Sequence, residues 1–264
     1  MSRTPLIMRL FHWCFMAFML APLVVVVLVS FTDKGYIAFP FDGASWRWYS
    51  AIWDATGFID SFWLSLGLGV VSATASVLFA VPAAMAIAWH RFAGREAVLG
   101  LLMSPLMIPA IVFGIALLRL FTHLGLSGSL WGLGAAHTVM VLPFVMRLVI
   151  AAATGYDHAL SQAATSLGAS GWTVFRRIEL PHLVPGVAGG WLIAFITSFD
   201  EVTMSLFVSS PGTTTLPVRM YNYIANTIDP LLASISSLLI LVTLVLMIIL
   251  DRAFGLDRIL GGKA

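Results

Sequence analysis

Across 264 residues the chain is 60% hydrophobic and only 10% charged, where a soluble domain carries about 25% charge. It cannot cover a surface in water, so its solvent is lipid. A net charge of +2, no basic run interleaved with aromatics, and a single cysteine exclude a nucleic-acid footprint, an intrachain disulfide and a cysteine metal cluster.

A helix needs about 20 apolar residues to cross the hydrocarbon, and six segments qualify: 10–31, 59–89, 98–121, 131–153, 187–209 and 232–254. The first follows Arg3 and Arg9 and runs apolar from Leu10 to Phe31, 22 residues. That exceeds the apolar core of a cleaved secretory signal, so it reads as an uncleaved span. Cys14 within it reads as a core thiol. The outer loop 32–58 carries Trp46, Trp48, Tyr49 and Trp53 at the spacing of a short interfacial helix. In the second span, Ser72, Ser76, Ala80 and Ala84 recur every four residues, a face on which another helix can approach closely. Pro82, Pro105, Pro109 and Pro143 each remove a helical hydrogen bond and favour kinks in the second, third and fourth spans. His137, inside the fourth, reads as a buried hydrogen-bonding group. Gly186 and Gly190 form a G-x-x-x-G at the start of the fifth span.

Ten Lys and Arg residues (3, 9, 91, 95, 147, 176, 177, 252, 258 and 263) fall on the N-terminal side of the membrane and four (34, 47, 119 and 219) on the other. The excess marks the cytoplasmic side. The expectation is an all-α integral membrane protein, a single domain over 1–264 with six transmembrane helices and both termini cytoplasmic.

Between the fourth and fifth spans lies a cytoplasmic segment, 154–186, with structure of its own. Leu160–Leu167 reads as a short helix that ends on Gly168, which can take φ > 0. A second helix starts near Ser170 with Trp172, Phe175 and Ile178 on one face, and Pro181 closes it. Two short helices at an angle make a knob whose apolar residues invite a grooved partner.

At these residues the sequence resembles the inner-membrane permeases of ATP-binding-cassette importers. Their signature is E-A-A, three residues, Gly, nine residues, then I-x-L-P. Ala163, Ala164, Gly168, Ile178, Leu180 and Pro181 stand at those spacings, and Gln162 stands where the family has Glu. The resemblance implies a type I importer permease fold, with Ser161–Gly168 as the coupling helix seated in a separate ATPase. It also implies a second permease subunit, two ATPase subunits, a periplasmic substrate-binding protein and location in the bacterial inner membrane. Independently, the only lysines, Lys34 and Lys263, lie in no G-x-x-x-x-G-K-[ST] loop. The chain is therefore expected to be no enzyme and to bind no cofactor, with ATP and magnesium in the partner ATPase.

Ser198-Phe199-Asp200-Glu201 falls inside the fifth predicted span. A carboxylate at a helix centre costs about 2.5–3.5 kcal/mol on insertion scales, so each needs a cavity, a partner or a substrate. A structural ion pair, for instance with Arg119, and a cation-attracting stretch of a translocation path are both open. Resemblance extends here as well. Ser198-Phe-Asp-Glu-Val, Phe207-Val-Ser-Ser-Pro211-Gly and Leu216-Pro217-Val-Arg-Met-Tyr221 look like the spermidine/putrescine branch of these permeases, and Trp46-Arg-Trp-Tyr49 is similar to its W-Y segment. That branch implies a polyamine cargo, with Ser198, Phe199, Asp200 and Glu201 along the path. Related branches carry opines, amino compounds, aminophosphonates or ferric ion.

Three other classes are weaker. Two G-x-S-G strings, at Gly125–Gly128 and Gly168–Gly171, lie in loops rather than beside an intramembrane histidine, which disfavours a membrane protease. A passive channel leaves the knob without a purpose, and a secondary transporter would work without ATP. The six histidines show no H-x-x-x-H or H-E-x-x-H spacing, so no metal site is expected.

Overall fold

A computed structural model describes residues 6–37 and 43–254; Arg3, Arg258 and Lys263, counted in the charge bias, lie outside the described residues. Every regular element among those described is helical: α1 Leu6–Val29, α2 Arg47–Asp54, α3 Thr56–Trp89, α4 Arg95–Met103, α5 Ala110–His123, α6 Leu130–Thr154, α7 His158–Ser166, α8 Gly171–Val174, α9 Leu180–Phe199, α10 Ser205–Val208, α11 Leu216–Asn226 and α12 Leu231–Phe254. The chain divides into two units, one of Met1–Ile59 with Met220–Ala253 and one centred on Asp60–Arg219.

Among the described residues, four stretches are long and apolar enough to cross a membrane: α1, α3, α6 and the run Gly171–Phe199. The pair Arg95–Leu106 and Ala110–His123 passes the same test but is bent by 102°. The expected straight span 98–121 is therefore broken. Pro105 sits in a 3₁₀ turn, Ser104–Leu106, and Pro109 holds extended backbone (φ −55, ψ 132) in front of α5, so no helical ladder passes between them. Pro82 and Pro143, by contrast, sit inside helices that run on past them. The described side chains of α12 give a shorter apolar run, Leu231–Val245.

In the first unit, α1 buries only Val29, and Cys14 is exposed on it. Cys14 is thus no core thiol: the apolar surface of α1 faces outward, as a helix solvated by lipid requires. The short helix expected around Trp46–Trp53 forms as α2, with Trp48 buried and Trp46 and Trp53 exposed. Tyr49 Oη is 2.7 Å from Ser30 Oγ and donates to Ser237 Oγ at 3.1 Å, and Ser234 Oγ donates to the Ser30 carbonyl. These bonds tie the end of α1 to α2 and α12.

In the second unit, α6 is the central helix. The small face of α3 is completely buried at Ser72, Ser76, Ala80 and Ala84. Ser76 Oγ donates to the Thr138 carbonyl of α6 at 2.9 Å, and Ser72 Oγ to that of Gly134 at 3.4 Å. α9 packs against both α6 and α3, sharing one core cluster with them. A Cβ on Gly186 would stand 2.7 Å from the Leu148 carbonyl oxygen, and one on Gly190 3.0 Å from Val145 Cα. Both glycines of the G-x-x-x-G therefore serve close backbone approach, the means by which helices associate where lipid gives no hydrophobic push.

Candidate functional site

The knob begins at Asp157, whose carboxylate accepts from the Ala159 amide and caps α7. It turns at Gly168, φ +86. The Gly168 amide donates to the Thr165 carbonyl and the Ala169 amide to that of Ala164, the paired bonds of a Schellman stop. Ser170 then caps α8 by accepting from the Thr173 amide. The helix expected to end at Pro181 does not. It passes through one π turn, Phe175–Glu179, and continues as α9, with Pro181 in the first turn of that helix. A proline there removes a bond that the wider turn has already displaced, so α8 and α9 form one continuous helical run, Gly171–Phe199.

Gln162, Ala163 and Gly168 are exposed on α7 and its turn, Ala164 is half-buried, and Leu167 beside them is 90% exposed. Trp172 is 68% exposed on α8, while Ile178 and Leu180 are half-buried and Pro181 exposed at the join to α9. Beneath the knob, Ser161 Oγ donates to Glu179 Oε1 at 3.0 Å and is hydrogen-bonded to Tyr156 Oη. Tyr156 is buried among the rings of Trp89, His158 and His182. The knob thus has a fastened base and an apolar outer edge.

The carboxylates lie elsewhere than in a helix centre. The helix starts well before residue 187 and stops at Phe199, so Asp200 and Glu201 occupy the irregular turn before α10. Glu201 is half-buried, and its Oε1 accepts from the Met204 amide, capping the turn that leads into α10. Asp200 is exposed. Arg119 is exposed too, and no ion pair joins it to Asp200 among the described residues. Adjacent in sequence, the two carboxylates differ in place: one is held by backbone, the other open.

Trp191, Phe195 and Phe62, missed at the sequence level, complete this region. Trp191, Phe195 and Phe199 follow one another at every fourth position of α9, the first pair stacked with ring centroids 5.5 Å apart and the second tilted by 33° at 6.1 Å. Phe62 of α3 meets Phe199 edge-on at 6.2 Å. Of these only Phe199 was expected in the site; the i, i+4, i+8 spacing was legible but is equally that of a packed face. Beyond the turn, Ser210 Oγ donates to the Gly128 carbonyl at 2.9 Å and pins the Pro211-Gly212 corner to the loop between α5 and α6. His137 is fully buried with both ring nitrogens hydrogen-bonded, to Ser198 Oγ at 2.8 Å and Ser205 Oγ at 3.0 Å. Both hydroxyls are buried as well, so this Ser–His contact offers no nucleophile to a substrate. Neither serine belongs to a G-x-S-G string.

Comparison with known proteins agrees with this geometry. The family described as "Binding-protein-dependent transport system inner membrane component" matches residues 76–256. The chain is 32% identical over 245 residues to the spermidine/putrescine transport system permease protein PotC of Escherichia coli strain K12, covering 93% of this chain and 92% of that one. It is 28% identical to the putrescine transport system permease protein PotI of the same strain, over 84% of this chain and 82% of the other. Among solved structures it is similar to a chain of a bacterial ABC transporter that imports alginate, with TM-score 0.72, 15% identity and coverage of 96% and 100%. A chain of the MetNI methionine ABC transporter matches with TM-score 0.60, 20% identity and coverage of 81% and 99%. The two structures establish the fold; the sequence matches, spanning most of the chain, establish the family. This chain belongs to the inner-membrane components of binding-protein-dependent transport systems, as a non-catalytic, multi-pass subunit of a transporter.

Proposed function

We propose that the chain is one of two permease subunits of an ATP-binding-cassette importer in a bacterial inner membrane, and that its cargo is a polyamine such as spermidine or putrescine. The observation that carries the reading is the 32% identity to a spermidine/putrescine permease over 93% of the chain. The site supports it in chemical terms. A polyamine is a flexible chain of ammonium groups separated by methylenes. Asp200 offers an open carboxylate, and the aromatic row Trp191, Phe195 and Phe199 ends at the residue before it. Aromatic faces attract ammonium groups and bury methylenes.

Six spans with both termini cytoplasmic complete the reading, α12 being the sixth and the bent α4–α5 pair the third. That topology leaves the knob in the cytoplasm. Its exposed Leu167 and Trp172 would enter a groove on one of two ATPases, with Gln162, Ala163, Ala164 and Gly168 shaping the contact and Ile178, Leu180 and Pro181 carrying its movement into α9. ATP-driven closure of the ATPases would then reorient the spans, while a periplasmic binding protein delivers the cargo. Gln162 lacks the charge of the usual glutamate, so shape rather than an ion pair would seat the helix.

The test is uptake of labelled spermidine by cells lacking their own polyamine importers and expressing the complete transporter. Asp200→Asn should raise the half-saturating concentration about tenfold, the loss of roughly one charge-assisted contact. Unchanged uptake in that variant, with the protein inserted normally, would remove Asp200 from the path.

A further inference from the structure

The acidic turn is held from outside its own segment by one buried side chain. His137, in the middle of α6, bonds to Ser198, two residues before Asp200, and to Ser205, four residues after Glu201. A neutral imidazole has one N–H donor and one bare nitrogen, and two hydroxyls can satisfy both. All three side chains are buried, at 0%, 3% and 0% exposure for His137, Ser198 and Ser205. Neither bond can therefore be exchanged for water. Between the serines the backbone leaves the α9 ladder after Phe199 and re-enters a helix only at α10. The Asp200 amide keeps the last bond of the α9 ladder, to the Ile196 carbonyl at 3.0 Å, so the ladder holds the near side of the turn and leaves its far side, from Glu201 on, to other contacts. On that far side the Leu206 amide donates to the Val202 carbonyl, Glu201 accepts from the Met204 amide, and α5 passes close by, where a Cβ on Gly114 would stand 3.1 Å from Met204 Cα.

We propose that His137 is a positioning residue of the translocation path: its imidazole clamps both flanks of the Asp200–Glu201 turn and sets the angle at which Asp200 meets the cargo. The proposal rests on the path reading of Asp200. It assigns no contact between His137 and the cargo. Any buried imidazole needs both nitrogens satisfied; what points to the turn is where the two bonds go, one to the helix end before the break and one to the helix start after it.

The test uses the complete transporter in proteoliposomes with ATP inside. Ser205→Ala removes one bond at almost constant volume and lies off the proposed path. It is expected to raise the half-saturating cargo concentration about tenfold while leaving the maximal rate within about twofold. His137→Phe should do the same more severely, and His137→Gln, whose amide can reach the Ser205 position as donor or acceptor, should recover part of the loss. A lower maximal rate at unchanged half-saturation would overturn the clamp, as would unaltered kinetics in Ser205→Ala. Should His137→Phe fail to insert, the Ser205→Ala and His137→Gln pair decides.

A second measurement separates the clamp from the path reading. In a Cys14→Ser background carrying Asp200→Cys, labelling of the introduced thiol by a cationic methanethiosulfonate should change severalfold when Ser205→Ala is added. Labelling at Ser127→Cys in the outer loop should stay constant. An unchanged rate at position 200 contradicts the clamp even if Asp200 lies on the path. If Asp200→Asn transports normally while the labelling rate does change, the path reading fails and the clamp stands as a device of the turn alone.

Discussion

Gly168 and Glu201 show how single residues here act through backbone geometry. At φ +86 the Gly168 turn favours glycine, and a Cβ there would meet no atom within 4 Å. A substitution is thus penalised by backbone conformation alone, by about 1–2 kcal/mol for an ordinary residue. Asparagine tolerates that region and β-branched residues do not. Gly168→Asn should retain most ATPase assembly on detergent-solubilised membranes and Gly168→Val should lose it, with both inserted normally. Equal assembly in the two would detach the turn from docking. At the acidic turn, Glu201→Gln keeps an oxygen that accepts from the Met204 amide, whereas Glu201→Ala does not. The alanine variant should therefore lower the melting temperature more than the glutamine variant. Lost caps cost about 1 kcal/mol. The residues of the knob were legible in the sequence because their signature is local: spacing alone put Ala163, Ala164 and Gly168 around one turn. The partners of His137 were not, since they lie 61 and 68 residues away and only the packing of α6 against α9 and α10 brings them together.

Among the helices, the contact between α6 and α9 depends on missing side chains. Gly186→Ala would place a methyl 2.7 Å from the Leu148 carbonyl oxygen and 2.8 Å from Ala152 Cβ, neither of which can swing aside. Overpacking of this kind costs about 1–3 kcal/mol. The purified variant should melt several degrees below the parent, while Gly134→Ala, with open space at the Cβ position, should melt no lower. Equal melting temperatures for the two would mean that α9 can shift off α6 without loss. The small faces behind these contacts were readable from four-residue spacing. The breaks were harder to read. Hydropathy carries straight through Ser104–Pro109, yet the chain bends there by 102°. At Pro181 the opposite holds: a proline that reads as a stop is absorbed by a π turn, and the helix runs on into α9. Composition records where a segment prefers to lie, but the path of its backbone depends on which carbonyls find a donor.

The molecule as a whole pairs an exposed apolar knob with an open carboxylate on the same continuous stretch, Gly171–Phe199 and the turn that follows. On the proposed reading, movement of α8 would pass along this continuous helix toward Asp200. Coupling of this kind separates a driven importer from a channel or a gradient-driven carrier, both of which could share the helices and the acidic turn. The most direct measurement is accumulation of labelled spermidine in proteoliposomes holding the complete transporter and its binding protein, with ATP or a non-hydrolysable analogue on the knob side. Expected is accumulation above the external concentration with ATP alone, abolished in Gly168→Val. Equilibration at the same rate without hydrolysable nucleotide would contradict the account.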